Sequence, residues 1–126
     1  MNTINISAGD VSLLAELNDS PTAQKILEAL PIKGAANRWG DEIYFEIPVR
    51  ANQESDARAE VAVGELGYWP VGHAFCIFFG PTPVSADERP RAYSPVNILG
   101  RIVGDATRFR SVRDGAPVHI TRVEKT

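Results

Sequence analysis

GYWPVGHAFCIFFGPTP, residues 67–83, decides how this chain folds. Its inner part, HAFCIFFG, is apolar at successive positions, so both faces of the extended chain must be covered. That is the signature of a central strand, with Gly72 before it and Gly80-Pro81 after it as turns. Cys76 and His73 resemble a nucleophile and its base, but residues three apart on a strand point to opposite faces. Cys76 also sits among Phe75, Ile77 and Phe78, where desolvation raises a thiol pKa and makes it inert. The expectation is a small core residue. The preceding ELGYWPVG sets Tyr68, Trp69 and Pro70 between Gly67 and Gly72. Aromatics flanked by turns either cover the end of a core or line a groove.

Working outward, "NRWGDEIYFEIPV" carries a two-residue turn, Gly40-Asp41, in which glycine supplies a positive φ. After it Ile43, Phe45 and Ile47 alternate with Glu42, Tyr44 and Glu46, the pattern of a half-buried strand with a polar outer row. Residues 2–17 predict a hairpin turning at Ala8-Gly9-Asp10. NDSPTAQKILEALP predicts a helix capped by Asp19 or Ser20, with Pro21 in the first turn and Ala23, Ile26, Leu27 and Leu30 on one face. Pro31 ends it. ANQESDARAE is a polar connector. Pro81 to Pro95 is expected to be irregular, followed by the strand VNILGRIVG. DATRFRSV suits a short helix capped by Asp105, and Asp114-Gly115 turns the chain into a last strand, APVHITRVE. Glycine and proline number 10 and 9, a content that suits many turns. About eight strands, one main helix and a short second helix result. A closed barrel explains them economically, because it leaves no bare edge.

The 126 residues suit one domain, residues 1–126. A single Cys makes no internal disulfide, and the expectation is a reducing, cytoplasmic setting. No apolar run reaches the roughly 18 residues of a membrane helix, so no membrane partner is expected. The net charge of −3 is uneven: residues 1–88 hold 5 Lys/Arg against 13 Asp/Glu, and residues 89–126 hold 8 against 3. The arginines of the second part alternate with apolar strand residues and form no basic run. They are expected to lie beside the acidic strands, and no nucleic-acid partner is expected.

Glu42, Tyr44 and Glu46 are the best polar constellation, side chains on one strand face roughly 7 Å apart. They serve either as a carboxylate pair for acid–base work or as a solvated outer face. Two His 46 residues apart and one Cys give no metal-ligand spacing, and no phosphate-binding glycine loop occurs, so neither metal nor cofactor is expected. His119 alternates with Val118 and Ile120 and is expected to face outward. The long segment from Pro81 to Pro95 brings Arg89, Arg91 and Tyr93 to a rim, or is merely a surface loop.

Together NRWGDEIYFEIPV, GELGYWPVGHAFCIFFGPTP and SPVNILGRIVG resemble a small prokaryotic family of cyclophilin-like proteins. The resemblance runs from about Trp39 to Val103 and implies a reduced form of the eight-stranded cyclophilin barrel. Cyclophilins proper, which are peptidyl-prolyl isomerases, are more distantly similar. Their QFFIC-T strand is similar to Phe78-Phe79-Gly80-Pro81-Thr82, and their VFGKV strand to Ile98-Leu99-Gly100-Arg101-Ile102. Their site on the outer barrel wall uses an arginine in an FHR-I-PGF--Q motif and a wall of phenylalanines. Here the comparable position is about Glu46, and an ionised glutamate accepts where arginine donates. The resemblance therefore implies a binding barrel without the catalytic arginine. Its expected groove on the outer wall is formed by Tyr44, Tyr68, Trp69, Phe79 and Tyr93, with Glu42 or Glu46 as the polar group. A proline-containing peptide or a small organic ligand is the expected guest, and a weak or atypical prolyl isomerase is the second reading.

Overall fold

The computed structural model describes residues 2–123. The N-terminal hairpin pairs β1 (Asn2–Ala8) with β2 (Val11–Leu17) around Gly9, whose φ is 55°. Helix α1 (Pro21–Ala29) follows as expected. The Ser20 side chain accepts from the Ala23 N–H, and Ala23, Ile26 and Leu27 are buried. The strands after it are β3 (Ile32–Ala35), β4 (Asn37–Arg38), β5 (Glu42–Glu46), β6 (Arg58–Glu60), β7 (Glu65–Trp69), β8 (Ala74–Phe78), β9 (Arg91–Val103) and β10 (Pro117–Arg122). A 3-10 turn, Ala106–Ser111, capped by Asp105, joins the last two. Glu124, the end of the expected last strand, lies outside the described residues.

The ten strands form one antiparallel sheet in the order β3–β10–β1–β2–β9–β7–β8–β5–β4, with β6 added to β9 off this path. The sheet curls around an interior filled by Ile4, Ile6, Ile43, Phe45, Leu66, Phe75 and Ile77, all nearly or wholly buried. Closure by hydrogen bonds, which the barrel expectation required, is absent among the described residues. The ends of the path, β3 and β4, are consecutive in the chain. Between them Ala36 bonds to the β10 side instead, through its N–H to the Ala116 carbonyl (2.8 Å) and its carbonyl to the Gly115 N–H (2.7 Å). One covalent segment thus crosses the seam. Gly34 lets β3 approach there: a Cβ at that position would lie 2.9 Å from the Phe45 ring.

Two features depart from the sequence reading and matter for the site. Strand β9 begins at Arg91 rather than after Pro95. Its first part pairs with β6 and its second with β7 and β2. The first part therefore lies over the outer face of the main sheet. There Val61, Ala92 and Val96 bury the outward side chains Ala74, Cys76 and Phe78 of β8, forming a second apolar cluster. This is why HAFCIFFG is apolar on both faces. Secondly, the polar connector is anchored. Asn97, wholly buried, accepts from the Glu54 N–H (2.8 Å) and donates to the Asn52 carbonyl and Thr22 Oγ1 (both 3.0 Å). Thr22 in turn donates to Glu54. Helix, connector and β9 are thereby joined by a satisfied polar network.

Some arginines of the second part lie beside acidic residues. Arg91 pairs with Glu60 (3.2 Å) and Arg110 with Asp41 (3.1 Å). Among the described residues no helix is long and apolar enough to cross a membrane.

Candidate functional site

Alternation along β5 sends Ile43 and Phe45 into the interior and Glu42 and Tyr44 to the outer face. Across the ladder the outward Tyr44 stands opposite Cys76, and Cys76 opposite Gly67. Two small residues beside a tyrosine leave a hollow. Trp69, outward on β7, bounds it on the far side. The turn after β4 folds Trp39 over its end, held by a bond from the Trp39 N–H to the Glu42 carbonyl (3.0 Å). Tyr93 on β9 closes the rim.

The result is a half-open pocket of about 160 Å³, walled by Trp39, Tyr44, Trp69 and Tyr93, with Cys76, Ala92 and Val96 beneath. Trp39 and Tyr93 lie 6.1 Å apart between centroids, Tyr93 and Trp69 6.0 Å, and Trp69 and Tyr44 6.5 Å. Neighbouring rings meet at 71–79°. Trp69 is fixed by its indole N–H, which donates to Ser94 Oγ at 2.6 Å.

Glu42 is the polar group of this pocket. Only 5% of it is exposed, and its Oε1 is buried with no hydrogen-bond partner. Burial pushes its carboxyl up to about 7 from an ordinary 4.5, and the Cys76 thiol offsets this only in part. Burial, together with the neighbouring Glu42, also raises the Cys76 thiol well above its usual value, so it is not a poised nucleophile. The adjacent Asp41 has the opposite fate. It points away and accepts from Arg38 and Arg110. Glu42 and Glu46 do not form a catalytic pair, because Glu46 is exposed and lies outside the pocket lining.

Of the residues expected from sequence, Glu42, Tyr44, Trp69 and Tyr93 come together. Tyr68 and Phe79 do not, and their expected place on the outer wall is corrected. Tyr68 follows Leu66 by two and precedes Trp69 by one, so the strand period sends it inward. It is wholly buried, donating from its hydroxyl to the Val49 carbonyl (2.7 Å) and accepting from the Ala51 N–H (3.3 Å). Tyr68→Phe should therefore lower stability by about 1–2 kcal/mol, leaving two polar backbone groups unpaired. Thermal unfolding measures this, and an unchanged midpoint would contradict the buried role. Phe79 lies past the end of β8 and turns inward against Phe109, 6.2 Å away. Phe78 is the phenylalanine of the outer cluster. Trp39 and Ala92 were not assembled from the sequence, because a turn and an expected loop carry no period, and Val96 opened an expected strand whose place over the outer face depends on the residues before it.

An arginine does reach Phe79: the Arg38 guanidinium lies 5.1 Å above its ring. All its N–H groups are already used, by the carbonyls of Gly40, Arg110 and Val112 and by Asp41. His73 sits in the turn before β8, its ring 2.8 Å from Arg50 rather than beside Cys76. Among the described residues no group of three or more His, Cys, Asp or Glu could hold a metal. A broader cleft of about 710 Å³ lies between β6 and the loop before β9. Its Arg58 is paired with Glu65 (2.8 Å) and its Arg89 with Asp87 (3.3 Å).

The Cyclophilin-like family model matches residues 2–121. Among solved structures, the hypothetical protein AF2241 from Archaeoglobus fulgidus, determined in solution, is 39% identical, with a TM-score of 0.82 over 97% of this chain and 95% of that one. No curated protein matches.

Proposed function

Because this chain belongs to the cyclophilin-like family, we propose that it uses the outer face of its sheet as such folds can, to hold a guest, and that it works as one ligand-binding domain. The guest is a small organic ligand seated among Trp39, Tyr44, Trp69 and Tyr93. The observation that carries this reading is the convergence of four aromatic side chains on one buried carboxylate, Glu42, whose Oε1 has no hydrogen-bond partner. Apolar walls with a single oriented polar group are what a small-molecule site needs. The partial enclosure favours a small ligand over the extended proline-containing peptide of the alternative guest. A half-open pocket of about 160 Å³ takes a head group rather than a run of backbone.

An NMR fragment screen tests the reading. Hits should perturb both indole N–H signals together with Tyr44 and Tyr93. Perturbations confined to the arginine-lined cleft, or none, would count against it.

The isomerase reading loses its donor. Isomerisation must overcome a barrier of about 18–20 kcal/mol set by amide resonance. No arginine lines the pocket, Glu42 can donate only while it keeps the proton it loses at about 7, and Arg38 has no N–H to spare. Exchange spectroscopy on an Ala-Pro peptide should show no cross-peaks at sub-second mixing times, since uncatalysed exchange takes tens of seconds or more. Cross-peaks that depend on this protein would restore the isomerase.

A further inference from the structure

The pocket's lining points to one chemical class of guest. We propose that it receives a compact organic ammonium ion, an alkylated amine head group enclosed by the four rings and neutralised by Glu42. This deepens the ligand-binding reading above and rests on it.

The walls are the first ground. Trp39, Tyr93, Trp69 and Tyr44 succeed one another at 6.0–6.5 Å, each meeting the next near a right angle, as the sides of a box do. Aromatic faces attract cations through their quadrupole, tryptophan most strongly. An alkylated ammonium spreads its charge over carbon-bound hydrogens and has few or no N–H groups to satisfy. It therefore loses little by leaving water for walls that offer rings rather than acceptors.

The second ground is independent of the rings. Glu42 Oε1 is buried with no donor on it, a state that costs free energy unless something supplies opposite charge. The protein supplies none there. The titratable groups lining the pocket, taken over β5, β8, β9 and the turn at Trp39, are Glu42, Tyr44, Cys76 and Tyr93. The lining contains no Lys, Arg or His. Nearby arginines are engaged elsewhere, Arg38 over Phe79, Arg58 on Glu65 and Arg91 on Glu60. An anionic guest would face an unrelieved carboxylate. A metal ion would find a single carboxylate.

Size is the third ground. A cavity of about 150 Å³ accepts a benzene molecule, so about 160 Å³ accommodates a trimethylammonium group. Any longer substituent leaves by the open side, past the exposed Tyr93.

Both tryptophans of the chain line the pocket, so intrinsic fluorescence reports on it directly. The full chain is titrated with tetramethylammonium, choline and 3,3-dimethyl-1-butanol, the uncharged isostere of choline. Choline should bind at least about tenfold more tightly than the isostere. Glu42→Gln should remove most of that difference. Tyr93→Ala removes an exposed wall without opening the core, and should weaken choline roughly fivefold. Choline affinity should rise about tenfold from pH 6 to pH 8, because the ionised carboxylate is the binding form and its pKa is about 7. A peptide with Nε-trimethyllysine, compared with choline, tells whether the head group belongs to a protein side chain or to a free metabolite. Equal binding of choline and its isostere, or choline binding indifferent to Glu42→Gln, would overturn the cation assignment while leaving the ligand pocket standing. Silence towards every probe would overturn it too, and a blank fragment screen beside that silence would remove the pocket reading as well.

Discussion

Gly100→Ala should lower stability by at least about 3 kcal/mol, although it adds one methyl group. Gly100 sits where three strands meet, opposite Leu17 of β2 and Leu66 of β7. Its φ is 149°, and a Cβ there would stand 1.9 Å from the Glu16 carbonyl oxygen and 2.9 Å from the Leu17 Cα. Both obstacles are backbone, so no side chain can swing aside. Either β2 separates from β9 or the residue abandons its conformation, and both break pairing at the middle of the sheet. Domains are typically stable by only about 5–15 kcal/mol, so the loss is a large fraction of the total. The thermal midpoint should fall by roughly 10 °C or more. Gly104→Ala is the control. Its φ is also positive, 106°, but nothing lies within 4 Å of its Cβ, so only backbone strain of about 1 kcal/mol is expected. Equal losses in the two variants would show that the approach of β2 is not what requires the glycine.

Glu42→Gln should make the protein more stable at pH 8, by about 3 kcal/mol, and nearly neutral in effect at pH 4. The folded carboxyl titrates at about 7 against an ordinary 4.5. Between those values the native state holds a proton that the unfolded chain has released, so stability falls as pH rises through this window and levels off above it. A rise of this size corresponds to about 3 kcal/mol at 1.36 kcal/mol per unit. The Cys76 thiol, itself pushed up by burial, stays neutral across it. Glutamine carries no charge at any pH and escapes the whole penalty. Urea unfolding of both proteins at pH 4, 6 and 8 reads the difference directly. A constant difference across pH would mean that Glu42 finds a counter-charge or water that relieves it. Choline should narrow the gap at pH 8, because the cation binds the folded protein that carries the carboxylate more tightly than it binds the glutamine variant.

Much of this was legible beforehand, for physical reasons. The capped, proline-started α1 and the hairpin around Gly9 rest on local chemistry that tertiary contacts did not override. Strict alternation in β5 put Glu42 and Tyr44 on the outer face, and they are there. The same rule, applied to Tyr68 and Trp69, forbids neighbours from sharing a wall. The likeness to cyclophilin sequences carried Tyr68 and Phe79 outward against it, and the period won. Trp39 could not be placed from the sequence, since its position depends on how a turn folds back. The depth of Glu42 was hidden for another reason. A strand reveals which face a side chain takes, but whether that face is covered depends on the start of β9, fifty residues away and concealed in what resembled a proline-rich loop.

The seam beside Ala36 has a consequence for behaviour in a crowded solution. A sheet that ends in a long, flat strand offers unpaired backbone on which a second molecule can continue the ladder, the first step towards fibrils. Here the path ends in β3, four residues long, and β4, two residues long, both parts of one continuous segment. The two middle residues of β3 are a lysine, Lys33, and a glycine, Gly34, rather than β-branched side chains. The barrel-like curl therefore does without hydrogen-bonded closure and still presents very little edge for another copy to extend.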